Sequence, residues 1–227
     1  MCGRFIQIAN PQRVRAYIGE AEVEPGVSES FRPSYNVAPT REVLAVLNTR
    51  PPRIALLRWG LIPFWTKDGS QSKALINARA ETLETRPSFR EPFRRRRCMI
   101  FADGFYEWDK KSKPKTPYLV RMRDRQPFAM AGLWDEWTDR TTNESVRSCT
   151  IVTTEANGLV STIHDRMPAI LRPESYPLWL AVGASDPAAL KGVLAPYPQD
   201  LMEAFAVSMR MNDPAFDSPE CMEPARG

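Results

Sequence analysis

The sequence contains a single histidine and four widely spaced cysteines, at positions 2, 98, 149 and 221. A structural zinc site needs four cysteine or histidine ligands at characteristic spacings, and no Cys-x-x-Cys pair is present. The same scarcity excludes the dense cysteine pattern of a disulfide-stabilised domain. We therefore expect no metal, no cofactor and no disulfide, with Cys98 and Cys149 acting as small apolar residues in buried strands.

Long apolar runs and a signal peptide are also missing from the sequence. The longest apolar stretches, such as residues 176–182, are far shorter than the roughly 20 residues that span a bilayer. The composition, with 43% hydrophobic and 26% charged residues, is typical of one globular domain. We predict a cytoplasmic protein without a membrane partner.

The positive charge is modest in total but consists mostly of arginine. The net charge is +4, and 24 of the 31 basic residues are arginine, whose planar guanidinium suits bidentate contacts with phosphate. The densest clusters are residues 94–97 and 110–115, although a run of charge is also typical of an ordinary solvated face. Because the arginine run precedes a predicted strand, at most two of its four side chains would reach one phosphate surface.

The apolar periodicity predicts more strands than helices. Strands joined mostly by short turns favour one α+β domain with a closed or bifurcated antiparallel sheet over a βαβ fold. We place the domain at residues 1–217, expect an irregular segment between residues 19 and 39, and predict that residues 218–227 form a flexible tail that includes Cys221. The predicted strands are 4–8, 42–48, 53–59, 98–102, 105–108, 117–122, 128–134, 147–154 and 205–209, and the predicted helices are 10–19, 80–84, 173–180 and 186–194.

Cys2 directly follows the initiator methionine, so removal of Met1 would place a free α-amine and a thiol on neighbouring carbons. An α-amine has a pKa of about 7.7–8.0, against about 10.4 for lysine, so a useful fraction is uncharged near neutral pH. With an aldehyde, the amine can form an imine onto which the thiol closes as a five-membered thiazolidine. The alternative is a Met-Cys start without functional meaning.

His164 and Glu107 are the candidates for proton transfer. His164 is the only side chain whose ordinary pKa lies near neutrality, and the proline at position 168 places it in a turn or loop. Glu107 stands in the aromatic segment 105–108, where desolvation would raise its pKa. A structural histidine and an exposed strand glutamate are the alternatives that the sequence leaves open.

Asn77 and Arg79 would lie on the same face of an extended segment, because side chains alternate along a strand. There an amide and a guanidinium could hold a phosphate or a sugar oxygen, although a helix-capping asparagine before residue 80 fits equally well. The loops at residues 35–39 and 59–65 add aromatic side chains that could stack on unpaired bases or belong to the core.

Seven ordered segments of the sequence form one pattern. They are Met-Cys-Gly-Arg-Phe at 1–5, Tyr-Asn-Val-Ala-Pro at 35–39, Trp-Gly-Leu-Ile-Pro at 59–63, Asn-Ala-Arg-Ala-Glu-Thr at 77–82, Arg-Arg-Arg-Arg-Cys at 94–98, Ala-Asp-Gly-Phe-Tyr-Glu-Trp at 102–108 and His-Asp-Arg-Met-Pro at 164–168. This pattern resembles the SRAP (SOS response-associated peptidase) family. The resemblance implies a single domain in which a bifurcated, largely antiparallel sheet forms a pseudo-barrel flanked by short helices.

The resemblance also implies a function in DNA damage. The protein would recognise abasic sites in single-stranded DNA and form a covalent thiazolidine crosslink through Cys2, which shields the lesion. We expect a monomer that associates with the nucleoid only by binding DNA. The family name also implies peptidase activity, in which the protein removes the residues before its own cysteine. Here only Met1 precedes Cys2, so we expect an ordinary aminopeptidase to be sufficient for its removal.

Site residues follow from the resemblance one by one. Cys2 is the nucleophile, and Asn77, Glu107 and His164 complete the catalytic set. Of Glu107 and His164, one would open the sugar hemiacetal and the other would deprotonate the Cys2 ammonium. The sequence leaves open which residue has which role. Asn77 would orient the amine or the sugar. The implied DNA contacts are Arg4, Arg79, Arg86 and Arg166 to phosphates, and Pro39, Trp65 and Trp108 to sugars and bases.

Two rival classes of protein share parts of this pattern. A glutamine amidotransferase also begins Met-Cys-Gly and uses an N-terminal cysteine as its nucleophile, but isoleucine is typical where this chain has Arg4. A non-covalent single-strand binding module would keep Met1 and bind only through aromatic and arginine side chains. High salt would release DNA from such a module.

Overall fold

The computed structural model describes residues 2–67, 75–183 and 186–225. The strands are β1 (Arg4–Gln7), β2 (Glu22–Val23), β3 (Ser34–Val37), β4 (Glu42–Leu47), β5 (Arg53–Trp59), β6 (Asn77–Arg79), β7 (Arg97–Ala102), β8 (Gly104–Trp108), β9 (Pro117–Met122), β10 (Phe128–Thr138), β11 (Ser145–Glu155), β12 (Arg166–Pro168), β13 (Ile170–Leu171) and β14 (Met202–Ala206). The α-helices are α1 (Pro11–Ile18), α2 (Val27–Ser30), α3 (Pro87–Arg95), α4 (Tyr176–Trp179) and α5 (Pro187–Gly192). Short 3₁₀ helices span Ala80–Thr82, Val160–Thr162, Pro173–Ser175, Gln199–Leu201, Met209–Asn212 and Pro219–Met222. Within the described ranges, no helix is long and apolar enough to cross a membrane.

Local sequence signals set the ends of α1. Asn10 accepts a 2.9 Å hydrogen bond from the amide of Arg13, and Pro11 occupies the first helical position. Gly19 ends the helix with a φ of 75°, which only glycine adopts without cost. This helix therefore lies where the sequence predicts it.

Five strands close into a barrel. β4 pairs with β5 and β7, β7 pairs with β10, and β10 pairs with β11, all antiparallel. A short parallel pairing of β11 with β5, at Ser148–Arg58 and Cys149–Trp59, completes the circuit. Closure removes the edges that an open sheet would expose. The predicted α+β class with a barrel-like antiparallel sheet is confirmed.

β11 extends beyond the closed barrel, and its neighbouring strands change along its length. On one edge β5 gives way to β6, which pairs Arg79 with Thr153 in parallel. On the other edge β10 gives way to β12, which pairs Pro168 with the same Thr153 in antiparallel orientation. The sheet is therefore bifurcated, as predicted, and it places β6 and β12 on either side of one end of β11.

A second sheet has the strand order β14-β9-β8-β1-β3. β1 lies between β3 and β8, and its antiparallel register pairs Arg4 with Tyr106 and Phe5 with Phe105. This register brings the start of β1, and so Cys2, beside the end of β8.

Alternating side chains divide the core between the two faces of the barrel strands. One face packs against helices, as Phe101 and Trp179 do in one apolar cluster. The other face packs against the second sheet, with Phe5 in the same cluster as Cys98 and Cys149. Burial of a large apolar side chain contributes about 1.5–3 kcal/mol. Both cysteines are fully buried, as predicted, and both are free thiols in the structure.

Short elements that depend on distant partners were missed. The segment after Gly19, expected to be irregular, contains β2, α2 and β3, because β2 pairs with β5 and β3 pairs with β1. β14 covers Met202–Ala206 rather than 205–209, since the chain turns into a 3₁₀ helix at Met209–Asn212. Local periodicity does not report pairings of this kind.

The arginine run does not form one extended segment. Arg94 and Arg95 end α3, which the sequence did not predict, and Arg97 begins β7. Arg97 is fully buried, and its guanidinium donates to the carbonyl oxygens of Trp179 (2.8 Å) and Phe93 (2.9 Å). These bonds satisfy carbonyl groups at helix ends, so Arg97 is a structural residue.

The C-terminal segment is packed at Cys221, contrary to the expectation of a flexible tail. Cys221 is fully buried within the 3₁₀ helix Pro219–Met222. The hydroxyl of Tyr106 lies 2.9 Å from the carbonyl oxygen of Tyr35 and 3.1 Å from that of Cys221. The polar composition was misleading because this short segment is fixed by backbone carbonyls and one small apolar side chain.

Candidate active site and nucleic-acid interface

Cys2 lies just before β1 and is fully buried. The side-chain amide of Asn77 donates a 2.9 Å hydrogen bond from Nδ2 to the carbonyl oxygen of Cys2. This bond joins the second sheet to β6 of the barrel sheet. The Asn77 Oδ1 atom is buried and has no hydrogen-bond partner among the described residues. A buried acceptor without a partner costs stability, so its presence suggests a role in function.

Glu107 lies on β8 and is 1% exposed. Burial raises its pKa from the ordinary value of 4.5 to about 7, while nearby positive charge, including Lys110, acts in the opposite direction. Burial raises the pKa of the Cys2 thiol well above its usual range, and the charge of Glu107 raises it further. The carboxyl group and the thiol are therefore neighbours. Near pH 7 this site contains a protonated thiol and a carboxyl group that readily exchanges a proton.

His164 stands between the 3₁₀ helix Val160–Thr162 and β12, with 10% of its side chain exposed. The amide of Arg166 donates to His164 Nδ1 at 3.0 Å. Burial lowers the pKa of His164, and the charge of Lys110 acts in the same direction, so the ring is neutral near pH 7. The same Nδ1 atom lies 2.9 Å from Asp165 Oδ1, so a backbone donor and a carboxylate acceptor both face it. These contacts orient the ring, and a neutral imidazole can donate one proton and accept another.

Lys110 and Asp165 connect the β8–β9 hairpin to the His164 segment. Their Nζ and Oδ1 atoms are 3.0 Å apart, and both side chains are exposed, so the pair contributes little stability. An open cleft next to the pair has four basic and two acidic lining residues. This balance favours an anionic ligand. The basic residues are Arg79, Lys110, Lys111 and Arg166.

Arg166 is held by several acceptors. Its guanidinium binds the Glu81 carboxylate through two hydrogen bonds of 2.6 and 3.0 Å, and it donates to the carbonyl oxygen of Thr153 at 2.7 Å. Its Nε atom is buried and lacks a partner within the described ranges. A phosphate at Arg166 would therefore share the guanidinium with Glu81.

Arg4 and Trp108 are both fixed by the C-terminal part of the chain. Arg4 donates to Asn36 Oδ1 at 2.8 Å and to the carbonyl oxygens of Met211 and Asn212 at 3.3 Å. The indole of Trp108 donates to Asn212 Oδ1 at 2.7 Å. The predicted phosphate contact at Arg4 is thus a half-buried guanidinium that already binds protein acceptors.

The remaining predicted DNA contacts lie at the surface. Pro39 is half-buried after β3, Trp65 is 48% exposed, and Arg79 is exposed on β6. Arg86 is exposed immediately before α3 and takes part in none of the contacts above. Across the described residues, no group of three or more His, Cys, Asp or Glu side chains is placed to hold a metal ion.

Comparisons with known proteins identify the family. The model of the family described as SOS response associated peptidase (SRAP) matches residues 1–214. The chain belongs to the SRAP family. It is 43% identical to "Abasic site processing protein YoqW" of Bacillus subtilis (strain 168), over 98% of this chain and 99% of the relative. It is 30% identical to "Abasic site processing protein HMCES" of Gallus gallus, over 99% of this chain and 78% of the relative.

Solved structures give the same fold. A crystal structure of a protein from Bacteroides thetaiotaomicron superimposes with a TM-score of 0.89 and 29% identity, covering 99% of this chain and 100% of that chain. A protein from Bordetella bronchiseptica gives a TM-score of 0.78 and 27% identity, covering 92% and 100%.

The residues that hold the site in this SRAP chain were missed from the sequence. Asn36 binds Arg4, Glu81 binds Arg166, and Asn212 binds Trp108. These pairs are 32, 85 and 104 residues apart in the chain. Asn36 and Glu81 lie within the segments 35–39 and 77–82 of the sequence pattern, but the pattern does not indicate which residues they contact.

Proposed function

We propose that this chain processes abasic sites in single-stranded DNA by forming a covalent thiazolidine crosslink through Cys2, after removal of Met1. The main support is the 2.9 Å bond from Asn77 to the Cys2 carbonyl oxygen, which holds the start of the chain beside Glu107. Relatives called abasic site processing proteins match almost the whole chain, which supports the same type of substrate.

Opening of the sugar is assigned to His164. An abasic sugar is mostly a closed hemiacetal, so the ring oxygen must gain a proton and the anomeric hydroxyl must lose one before the aldehyde appears. A neutral His164 can donate one proton and accept another, so it is suited to this exchange. The contacts of Nδ1 with the Arg166 amide and the Asp165 carboxylate orient the ring.

Bond formation by the amine is assigned to Glu107. With a pKa of about 7, its carboxylate takes a proton from the Cys2 ammonium, and the amine nitrogen bonds to the aldehyde carbon. The protonated carboxyl group then returns the proton to the carbinolamine hydroxyl, which leaves as water. Asn77 Oδ1, which has no partner within the described residues, would accept a hydrogen bond from the amine.

The thiol acts last. Burial and the Glu107 charge disfavour the thiolate, so the first bond to the aldehyde comes from the amine. The sulfur then bonds to the imine carbon, the imine nitrogen takes up the electron pair, and the thiol proton passes to a base, which closes the thiazolidine.

The thiol environment argues against an amidotransferase, which needs a reactive thiolate. The Asn157-Gly158 pair could serve such an enzyme as an oxyanion motif, but the Asn157 amide is already occupied. Asn157 donates to the carbonyl oxygen of Tyr197 at 2.7 Å and accepts from the amide of Val160 at 2.9 Å.

The DNA strand is assigned to the surface that surrounds Cys2. Arg79, Lys110 and Arg166 would bind phosphates in the basic cleft beside His164. Pro39, Trp65 and Trp108 would contact sugars and bases next to the lesion. Arg4 and Arg86 complete the proposed phosphate contacts, with Arg4 also fixing the C-terminal turn.

The proposal is tested with a single-stranded oligonucleotide that carries an aldehyde abasic site. We expect a product that survives denaturing electrophoresis, with an intact mass equal to processed protein plus DNA minus one water. Cys2→Ala should abolish this product but retain a borohydride-trappable imine, because the variant keeps its α-amine. The control Cys221→Ala removes a buried thiol on the other face of β8 and should crosslink normally. Full yield from Cys2→Ala would reject the mechanism, and DNA released completely by salt would favour a non-covalent module.

A further inference from the structure

One carboxylate oxygen of Asp165 joins the β8–β9 hairpin to the ring of His164. Asp165 Oδ1 lies 2.9 Å from His164 Nδ1 and 3.0 Å from Lys110 Nζ. Neither Asp165 nor Lys110 belongs to the proposed catalytic set, yet together with His164 they form one chain of polar contacts.

Stability does not account for this arrangement. The side chains of Asp165 and Lys110 are 74% and 56% exposed, and ion pairs between exposed side chains contribute about 0–1 kcal/mol. The side chain of His164, by contrast, is only 10% exposed, so water does little to screen a contact at its ring. The carboxylate of Asp165 therefore matters more for the ring of His164 than for the fold.

The ring of His164 has two different contacts at the same nitrogen. The backbone amide of Arg166 donates to Nδ1 at 3.0 Å, and Asp165 Oδ1 lies 2.9 Å from that atom. The amide suits an Nδ1 atom with a lone pair, whereas the carboxylate suits an Nδ1 atom that carries a proton. A carboxylate in this place also stabilises the imidazolium that forms when the ring takes up a proton. The two contacts therefore support both states of a ring that exchanges protons.

Lys110 extends from a turn that backbone groups hold in place. The amide of Asp109 donates to the carbonyl oxygen of Thr116 at 2.9 Å, and the amide of Lys111 donates to Asp109 Oδ1 at 2.8 Å. These bonds fix the backbone on either side of Lys110. The lysine therefore starts from a defined point of the hairpin and reaches across to Asp165.

Lys110 and Asp165 act with opposite sign on the two proposed proton-transfer groups. Burial raises the pKa of Glu107 and lowers the pKa of His164. In both cases the charge of Lys110 lowers the pKa, and the charge of Asp165 raises it. The pair can therefore orient the ring without a large net charge beside it, which would hold Glu107 or His164 in one protonation state.

We infer that Asp165 is a positioning residue that orients His164 for opening of the abasic sugar, and that Lys110 holds Asp165 in place. The ring of His164 takes the proton of the anomeric hydroxyl, whose oxygen becomes the aldehyde oxygen, while the carboxylate stabilises the imidazolium. The ring then gives a proton to the sugar ring oxygen, which keeps the electron pair of the broken C–O bond. The charge of Lys110 prevents the carboxylate from holding the ring as imidazolium. This inference rests on the proposed function, because it concerns the step assigned there to His164.

A strand with an aldehyde that cannot cyclise separates opening of the sugar from the later steps. On an ordinary abasic strand, Asp165→Asn should lower the maximal crosslinking rate about 10-fold, a part of the loss expected for His164→Ala. On a strand that carries an aliphatic aldehyde without a hydroxyl group to form a hemiacetal, the same variant should react at the wild-type rate. The matched control is Lys115→Gln, an exposed residue of the same hairpin outside the cleft, which should match the wild type on both strands. Equal losses of Asp165→Asn on both strands, or a loss on neither, would overturn the inference.

The pH dependence of the crosslinking rate is an independent test. Lys110→Gln should move the rise of the rate to higher pH, because it removes a positive charge that favours ionised Glu107 and neutral His164. Asp165→Asn should move the rise to lower pH, because it removes the opposing charge, and Lys110→Arg should retain the wild-type profile. The other charged groups that face His164 are the same in all variants: the α-ammonium of processed Cys2, Arg79, Glu155 and the guanidinium of Arg166, which binds Glu81. Shifts of Lys110→Gln and Asp165→Asn in the same direction, or no shift in either, would count against the inference.

A double variant separates a positioning role of Lys110 from a phosphate contact. If Lys110 acts through Asp165, Lys110→Gln should lower the maximal rate of the wild type but cause little further loss in Asp165→Asn. Fluorescence anisotropy with a single strand that contains a tetrahydrofuran abasic analogue measures binding without reaction. Asp165→Asn should bind this strand at least as tightly as the wild type, since it removes a negative charge from the cleft. Losses of rate that multiply in the double variant would refute the positioning role in favour of a phosphate contact alone, and so would a loss of affinity in Asp165→Asn as large as its loss of rate.

Failure of the inference is separable from failure of the proposed function. If the wild type crosslinks both aldehyde strands while Asp165→Asn reacts normally with the abasic strand, only the role of Asp165 is refuted. If the wild type crosslinks neither strand, the proposed function is refuted and the inference with it. Because both substituted side chains are exposed, the variants should unfold at the same urea concentration as the wild type, so a change of rate reports on the site and not on folding.

Discussion

Glu107 makes the stability of the protein depend on pH in the opposite direction to an ordinary paired carboxylate. Burial raises its pKa from 4.5 to about 7, so the folded state holds this proton more tightly than the unfolded state does. Folding is therefore penalised as pH rises above 4.5, and the penalty is complete above about 7. At about 1.4 kcal/mol for each pKa unit, the difference of about 2.5 units corresponds to about 3 kcal/mol.

Urea unfolding of the wild type and Glu107→Gln between pH 4 and pH 8 measures this penalty. Glutamine cannot titrate, so the wild type should lose about 3 kcal/mol of unfolding free energy relative to the variant over this range. Groups that titrate in both proteins cancel. The crosslinking rate of the wild type should rise through pH 7, whereas the variant should be slow throughout. A stability difference that stays constant with pH would refute the burial argument.

Three further variants test other parts of the structure. His164→Ala should slow crosslinking by about 10²- to 10⁴-fold while leaving affinity for the tetrahydrofuran strand unchanged, and equal losses of rate and affinity would contradict its proton-transfer role. Asn212→Ala removes the acceptor of the Trp108 indole and should weaken DNA binding by about 1 kcal/mol, as measured by anisotropy; unchanged affinity would exclude Trp108 from the interface. Gly132→Ala places a Cβ 2.8 Å from Cys98 Sγ and should cost about 1–3 kcal/mol in urea unfolding, part of which Cys98→Ala should restore; strictly additive losses would contradict this packing.

Much of the fold followed from periodicity and turn chemistry. The long strands β4, β5, β9, β10 and β11 alternate or form apolar runs between turn residues, so their positions were predictable. β6, β12 and β13 have two or three residues each, and each exists because a neighbouring strand supplies hydrogen bonds. Such elements have no signal in their own sequence.

The candidate site residues were selected by motif, but their geometry could not be predicted. Motif resemblance selected Cys2, Asn77, Glu107 and His164. In the structure Asn77 donates a hydrogen bond to Cys2, and the charge of Glu107 helps to raise the pKa of the Cys2 thiol. The orientation of the His164 ring depends on a backbone amide and on the neighbouring Asp165 carboxylate, and composition and spacing do not indicate these contacts. Two acceptors of Arg4, the carbonyl oxygens of Met211 and Asn212, were equally inaccessible, because they lie more than 200 residues away in the chain.

The proposed catalytic residues come from both sheets, so the site depends on how the sheets meet. Cys2 precedes β1 and Glu107 lies on β8 of the second sheet, whereas Asn77 lies on β6 and His164 precedes β12 of the bifurcated sheet. The Asn77–Cys2 bond crosses this junction, and a neutral hydrogen bond contributes about 1 kcal/mol. The partnerless Asn77 Oδ1 offsets that gain, since a buried unsatisfied acceptor costs about 1–3 kcal/mol.

Asn77→Ala removes both terms at once, but it also leaves the carbonyl oxygen of the fully buried Cys2 without its donor, which costs about 1–3 kcal/mol. We therefore expect the variant to unfold at a somewhat lower urea concentration than the wild type, to remain folded without urea, and to crosslink abasic DNA more slowly. Because a fully folded variant loses no rate through unfolding, slow crosslinking without urea distinguishes a residue kept for chemistry from one kept for folding. A folded variant that crosslinks at the wild-type rate would show that Asn77 acts only as a structural bridge between the sheets.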